Sequence, residues 1–153
     1  MAKQTRGKGR SYSRTSPFIV HIENSRSMKP VFTVFPEQYA AALKRHPDVA
    51  RVIKTTLGYD AENYDASMQE ADALISYKFP RDNLRKRAPK LKWIQVLGAG
   101  VDYMLPLDWV PKDLMLTTNW GAHVPKAAQS ALMAILMINS RMPALVTGQR
   151  RHE

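Results

Sequence analysis

Apolar and β-branched segments alternate with amphipathic ones along most of the chain. The apolar segments predict five strands, at 18–22, 49–56, 71–79, 91–97 and 114–118. Alternation of strands and helices at this spacing predicts an α/β fold, in which a parallel sheet is flanked by helices. Ligands bind such sheets beyond the carboxyl ends of the strands, so the loops after the fourth and fifth strands are the places to look for a site.

Helix signals separate the predicted strands. Pro36 opens a helix with an acidic residue in its first turn and basic residues in its last, an arrangement that suits the helix dipole, and Pro47 ends it. A short helix is predicted around 66–70. Another runs to Arg87, with Asp82 as its cap.

The most regular helical pattern lies at 124–138. Its apolar residues recur at intervals of three and four, and its second half is apolar almost all round. A helix of this kind is buried on more than one side. We therefore expect it to pack on its own sheet and against a further surface, with a homodimer formed through 124–138 as the predicted assembly.

Length and composition narrow the class of protein. With 153 residues and 44 % hydrophobic residues, the chain can form one domain with a hydrophobic core. It contains no cysteine, which excludes disulfides and cysteine-ligated zinc, and its four histidines lack metal-ligand spacing, so no metal site is predicted. No apolar run reaches the roughly 18–20 residues of a membrane helix. We expect a cytoplasmic protein that does not enter a membrane.

The net charge of +10 is distributed unevenly. Five basic residues and no acidic residue lie among the first fifteen positions, together with Gly, Ser and Thr. Such a segment buries little apolar surface, so residues 1–16 are predicted to form a disordered basic tail. The tail lacks the apolar segment of a secretory signal. A transit peptide stays open, and so does nucleic-acid binding, although the chain carries no recognised nucleic-acid motif.

The loop after the fourth strand is the first candidate site. It reads GAGVD at 98–102, and its two glycines leave the backbone N–H groups of Ala99 and Gly100 able to hold an anion such as a carboxylate. The alternative is a tight strand-to-helix turn in which Asp102 caps a short helix. A dinucleotide fingerprint is incomplete, because Tyr103 stands where the third glycine belongs.

Three further features each allow two interpretations. His123, in the loop after the fifth strand, is either an acid–base group or a histidine that hydrogen-bonds locally. Phe79, at the end of the third strand, either packs in the core or lines a substrate pocket. The basic residues at 81–92 either attract an anionic ligand or form a solvated face.

Several stretches, taken in order, resemble one known family. They are ADALI at 71–75, LKWIQ at 91–95 with GAGVD at 98–102, LTTNWG at 116–121, and the helix that contains AAQSAL at 127–132. The substrate-binding domain of the D-isomer-specific 2-hydroxyacid dehydrogenases shows a similar series. The resemblance covers roughly residues 17–149, and its specific part is 91–141.

The resemblance implies a flavodoxin-like substrate-binding domain, incomplete here, over residues 17–123. It implies that 124–149 is a long helix and linker leading to a dinucleotide-binding domain that this chain lacks. Enzymes of the family use NAD or NADP to reduce a 2-keto acid to the 2-hydroxy acid. By resemblance, the amides of Ala99 and Gly100 hold the substrate carboxylate, and Ala127 matches a cofactor contact.

The family's catalytic arginine, glutamate and histidine map onto no residue of this chain, and Arg141 is not that arginine. We therefore expect the chain alone to be inactive and to bind neither NAD nor NADP tightly. Two other functions stay open. One is a non-catalytic module that dimerises through 124–138, and the other is a nucleic-acid binder that acts through its basic tail.

Overall fold

The computed structural model describes residues 16–152. A sheet of five strands lies at the centre, in the order β2-β1-β3-β4-β5, and every neighbouring pair is parallel. The strands are β1 (Phe18–Asn24), β2 (Ile53–Tyr59), β3 (Ala73–Ser76), β4 (Trp93–Val96) and β5 (Met115–Thr118). This is the α/β flavodoxin-like arrangement, so the predicted fold class is confirmed.

Helices and short 3₁₀ turns connect the strands. The helices are α1 (Pro36–Arg45), α2 (Pro47–Ala50), α3 (Tyr64–Met68), α4 (Leu84–Arg87), α5 (Val124–Asn139) and α6 (Met142–Arg151). The 3₁₀ turns are Pro30–Phe32, Asp102–Met104 and Leu107–Trp109. The prediction of α1 is confirmed from its proline to its basic last turn.

The core has two parts, one on each face of the sheet, because successive strand residues point to opposite faces. The larger part joins α3 and α4 to the sheet through Tyr64, Met68, Leu74, Leu84 and Ile94, all fully or nearly fully buried. The smaller part contains Val20, Ile22 and Ala73, with the ring of Tyr39 from α1 packed against it. The two parts fix β1, β3 and β4 as the rigid centre of the molecule.

The predicted start of the second strand is wrong. Residues 49 and 50 belong to α2, and β2 begins only at Ile53. Proline favours the first position of a helix, and Pro47 occupies that position in α2, with Asp48 in the first turn. β2 then continues to Tyr59 because it pairs with β1 along its whole length.

The third strand is also shorter than predicted, ending at Ser76 rather than at residue 79. The Ser76 hydroxyl donates to the Glu23 carbonyl at 2.8 Å and lies 3.0 Å from the Lys78 carbonyl, and the chain turns there. The predicted cap of α4 is wrong as well. The N-cap is Asn83, in the left-handed conformation, and Asp82 accepts a hydrogen bond from Arg87 instead.

α5 does not pack as the sequence analysis predicts. No residue of α5 or α6 is buried, and α5 lies closer to α6, the helix that follows it, than to any strand. The chain turns at Gly121, whose φ is +82°, and α5 then runs clear of the sheet with Ile135 63 % and Ile138 71 % exposed. Within residues 16–152 no single helix is long and apolar enough to cross a membrane. Only α5 and α6 taken together have the length and the apolar composition of a membrane-crossing segment, and the two helices are bent by 61° relative to each other.

Candidate functional site

The carboxyl ends of the strands form one edge of the sheet, and the candidate residues lie along it. The strand order reverses at β1, since β2 lies on one side of it and β3, β4 and β5 on the other. Loops leave the sheet in opposite directions at such a switch point, and the crevice between them is the usual ligand site of this fold class. The loops after β1 and β3 border this crevice, and the loop after β4 is the next one along the same edge.

The glycine turn, Gly98 to Gly100, follows β4 and is anchored at its base. Leu97 donates its N–H to the Ser76 carbonyl at 3.0 Å, and the Gly98 carbonyl accepts the N–H of Asn119 at 2.9 Å. The Asn119 amide also donates to the Leu97 carbonyl at 2.9 Å, which ties the loop after β5 to the turn. The base of the turn is thus held by neighbouring strands on both sides.

The tip of the glycine turn carries the free amides. Within residues 16–152 the N–H groups of Ala99 and Gly100 donate no hydrogen bond, and both residues are exposed. Two adjacent backbone donors on a fixed base can bind the oxygens of a carboxylate. This geometry is what an anion site at Ala99 and Gly100 requires, and the site itself stays a prediction.

The two glycines of the turn differ in what surrounds them: Gly98 lies against a packed ring, and Gly100 lies against the end of an exposed side chain. A Cβ added to Gly98 would stand 3.1 Å from Cε2 of Tyr77, and one added to Gly100 would stand 2.8 Å from Oδ2 of Asp102. Asp102 begins the 3₁₀ turn Asp102–Met104 without capping it through its side chain, so the cap predicted for Asp102 is wrong. Its exposed carboxylate lies beside the turn and opposes an incoming anion.

Phe79 is a core residue that also reaches a cleft. It is 8 % exposed, and its ring meets the Trp109 ring edge-on with centroids 5.8 Å apart. It also lines a cleft of about 440 Å³ together with Glu23, Asp60 and Lys78. Most of the surface of Phe79 is buried in the core, which is one of the two interpretations that the sequence allows. The role of Phe79 toward a substrate stays a prediction.

The other candidate residues lie apart from the glycine turn. Ala127 is exposed on α5, and His123 is exposed at the start of that helix, where its side chain makes no capping hydrogen bond. A cleft of about 680 Å³ lies between α4 and the Leu107–Trp109 turn and includes neither Ala99 nor Gly100. In the described residues no group of three or more His, Asp or Glu side chains is placed to hold a metal ion.

Most basic residues at 81–92 are engaged rather than free. Their partners are carboxylates: Arg85 pairs with Asp113, Arg87 with Asp65 and Asp82, Lys90 with Glu70, and Lys92 with Asp72. Arg81 instead donates to the Met104 carbonyl at 3.0 Å and lies over the Trp109 ring. Because their charges are largely balanced locally, these residues form a weaker anion-attracting surface than the sequence indicates.

A buried polar cluster on β1 and β2 is absent from the sequence predictions. His21 and Glu23 are 0 % and 2 % exposed, and His21 Nε2 lies 2.9 Å from Glu23 Oε2. The other ring nitrogen, Nδ1, lies 2.8 Å from the Thr56 hydroxyl. The signal was the alternation His-x-Glu within a strand, which puts both side chains on one face.

The hydrogen bonds of this cluster relate the tautomer of His21 to the ionised form of Glu23. A carboxylate only accepts, so Nε2 carries the imidazole proton toward Glu23, and Nδ1 accepts the Thr56 hydroxyl proton when the ring is neutral. The second carboxylate oxygen of Glu23 accepts the N–H of Ala61 at 2.7 Å. Asp60 and Ala61 both adopt left-handed backbone angles, with φ of 54° and 61°, and this contact holds them there. The cluster thus stabilises the loop after β2.

Comparison of the chain with models of protein families, with curated proteins and with solved structures found no match.

Proposed function

We propose that the chain is the substrate-binding portion of an NAD(P)-dependent oxidoreductase that acts on 2-hydroxy acids and 2-keto acids. The observation that carries this proposal is the pair of unpartnered, exposed amides at Ala99 and Gly100, on the carboxyl edge of a parallel sheet. The ordered resemblance of the stretches at 71–132 supports the same assignment.

In this proposal the chain recognises the substrate carboxylate. Adjacent backbone N–H groups without partners, such as those of Ala99 and Gly100, favour a bound negative charge. Asn119, bound to Leu97 from the neighbouring strand, keeps the base of the turn rigid. A rigid donor pair loses little conformational entropy when the acid binds, and a small carboxylate ligand benefits most from such preorganisation.

The described residues do not fit a dinucleotide. A pyrophosphate needs a glycine-rich loop that leads into the N-terminus of a long helix. Here the glycine turn leads into Asp102–Met104, a 3₁₀ turn of three residues, and Tyr103 replaces the third glycine. The proposal therefore assigns no cofactor-binding step and no hydride transfer to these residues.

Amide NMR spectra of the full chain test the proposal. Titration with glyoxylate or hydroxypyruvate is expected to shift the Ala99 and Gly100 signals more than any others, because these amides gain hydrogen bonds. The matched control compares the shifts caused by pyruvate with those caused by methyl pyruvate, because the ester lacks the carboxylate. Equal shifts for acid and ester, or shifts confined to other residues, would contradict carboxylate binding at the turn.

A second candidate function is assembly through α5. It is favoured by the exposure of large apolar side chains along this helix, including Leu132, Ile135 and Ile138. Contiguous apolar surface of this kind marks interaction sites in soluble proteins. Sedimentation at micromolar concentration tests it, and a clean monomer would argue against a dimer. The predicted basic tail lies outside the described residues apart from Ser16, so nucleic-acid binding through it stays a prediction.

A further inference from the structure

Three aromatic rings form a stack beside the glycine turn. The rings of Phe32 and Tyr77 lie 3.9 Å apart between centroids at an angle of 25°, and those of Tyr77 and Tyr103 lie 4.7 Å apart at 21°. The three rings come from the Pro30–Phe32 turn, the loop after β3 and the loop after β4. The stack therefore spans the edge of the sheet on which ligands of this fold class bind.

The stack is built into the glycine turn rather than merely near it. The Tyr77 ring packs on the bare α-carbon of Gly98, where a Cβ would stand 3.1 Å from the ring. The Tyr103 hydroxyl donates to the Tyr77 carbonyl at 3.0 Å, which fixes the outer ring. Tyr103 follows Gly100 by three residues, and three residues of chain span at most about 11 Å. The outer ring is thus within reach of a ligand that is anchored at Gly100.

The outer ring has accessible surface. Tyr77 lies between two rings, whereas Tyr103 is stacked on Tyr77 and is still 44 % exposed. Burial, with Tyr77 as a further cause, raises the pKa of Tyr103 to about 12, so the phenol is neutral at ordinary pH. A fixed aromatic ring attracts another aromatic ring by offset or edge-to-face packing. Because the phenol is neutral, it adds no net negative charge beside the bound carboxylate.

We infer that the ligand of the glycine turn is a 2-keto or 2-hydroxy acid with an aryl side chain. Its carboxylate binds the amides of Ala99 and Gly100, and its ring packs on the exposed surface of Tyr103. This inference rests on the proposed function and narrows its substrate class. The alternative role of the stack is purely structural, fastening the Pro30–Phe32 turn to the sheet.

A comparison of pyruvate with phenylpyruvate separates the two roles, because the acids differ only in the phenyl group. We expect phenylpyruvate to bind the full chain about three- to ten-fold more tightly, as followed by the Ala99 and Gly100 amide signals. Tyr103→Leu should bring the ratio of the two affinities close to one, and this ratio, measured within the variant, is the readout. Tyr59→Leu, which removes a tyrosine on β2 outside the stack, should keep the preference.

The outcomes distinguish failure of this inference from failure of the proposed function. If both acids shift the turn amides with equal affinity, the aryl preference is wrong and the carboxylate site stands. If neither acid shifts them, the proposed function fails and the inference fails with it. A preference that persists in Tyr103→Leu would also overturn the inference. If Tyr103→Leu does not fold, the test is the nuclear Overhauser effect between the ring protons of phenylpyruvate and those of Tyr103 in the unaltered chain. Absence of this effect would reject the stacking of the ligand on Tyr103.

Discussion

Asp102 is the residue that most directly opposes the proposed anion site. Its carboxylate oxygen lies 2.8 Å from the point that a Cβ on Gly100 would occupy, and the residue is exposed. Two unit charges about 4 Å apart in water interact by about 1 kcal/mol, which corresponds to about five-fold in affinity. The free amides of the turn must therefore bind an acid against this repulsion.

We predict that Asp102→Asn increases the affinity for a 2-keto acid several-fold. The substitution keeps the shape of the side chain and removes its negative charge. Titration calorimetry at low salt measures the effect, which should shrink as salt screens the charge. Asp108→Asn, an equal change of charge in the Leu107–Trp109 turn, serves as the control. Unchanged or weaker binding by Asp102→Asn would count against an anion site at Gly100.

Gly58 is the residue on which the buried cluster depends. A Cβ at this position would stand 2.5 Å from Glu23 Oε2 and 3.1 Å from the His21 ring. Neither neighbour can move freely, because His21 is held by Thr56 and Glu23 by the Ala61 amide. The missing side chain is therefore what allows the two buried polar groups to fit.

We predict that Gly58→Ala lowers the free energy of unfolding by about 1–3 kcal/mol, the usual cost of overpacking. Urea denaturation measures it. Gly148→Ala in α6 is the matched control and should be neutral or stabilising, because alanine favours a helix over glycine by about 1 kcal/mol. If Gly58→Ala were as stable as the unaltered chain, the side chains of His21 and Glu23 would be able to move away from the added Cβ at little cost, and the prediction would be wrong.

At the scale of elements, the sequence predicts whether a segment is a helix or a strand better than it predicts where that helix or strand begins and ends. β1 and α1 appear where their patterns indicate, since a buried apolar strand and a proline-led helix each have a local cause. The extents of β2 and β3 depend instead on pairing with β1 and on the Ser76 hydroxyl, which are contacts between distant residues. Local signals carry no information about such contacts.

The same division applies to the candidate site. The glycine turn could be predicted from the sequence, because two glycines after a strand are a local signal. The same signal also fits a tight strand-to-helix turn, and the structure is what shows that the Ala99 and Gly100 amides have no partner within residues 16–152. The aromatic stack could not be predicted, because it joins residues far apart in the chain. The His21–Glu23 pair has a local signal in the sequence, but its contacts with Thr56 and Ala61 are long-range and have none. The prediction that α5 packs on the sheet fails for a related reason. The periodicity of α5 shows that its apolar side chains favour burial, but it does not specify which surface buries them.

α5 gives a prediction at the element scale. Ile135→Lys is expected to change the free energy of unfolding by less than about 0.5 kcal/mol, because the residue is 63 % exposed. Ile94→Ala, at a fully buried position on β4, should cost about 2–5 kcal/mol. Thermal unfolding compares the two variants. If the chain dimerises through α5, Ile135→Lys should also shift sedimentation toward the monomer, and a large stability loss in a monomeric chain would mean that α5 is buried.

For the whole molecule, two phenols predict sensitivity to alkali. Burial raises the pKa of Tyr64 and, to about 12, that of Tyr103, above the ordinary value of 10.0. A raised pKa means that the folded state holds the proton more tightly than the unfolded state. The resulting stability is fully present below about pH 10 and is lost as the pH rises through the folded-state values.

We therefore predict that the urea midpoint falls between about pH 10 and pH 12, with tyrosinate absorbance appearing late in the folded protein. Tyr103→Phe should flatten part of this fall, since phenylalanine does not titrate. A urea midpoint that does not change between about pH 10 and pH 12 would contradict the raised pKa values of Tyr64 and Tyr103.

The all-parallel sheet has a consequence for synthesis of the protein. β1 lies inside the sheet between β2 and β3, yet it precedes both of these partners in the chain, pairing with β2 from Ile53 onward and with β3 from Ala73 onward. A nascent chain therefore leaves the ribosome with its most apolar early segment unpaired until those strands emerge. Unpaired strands promote aggregation, so β1 is the segment that most needs a chaperone during translation.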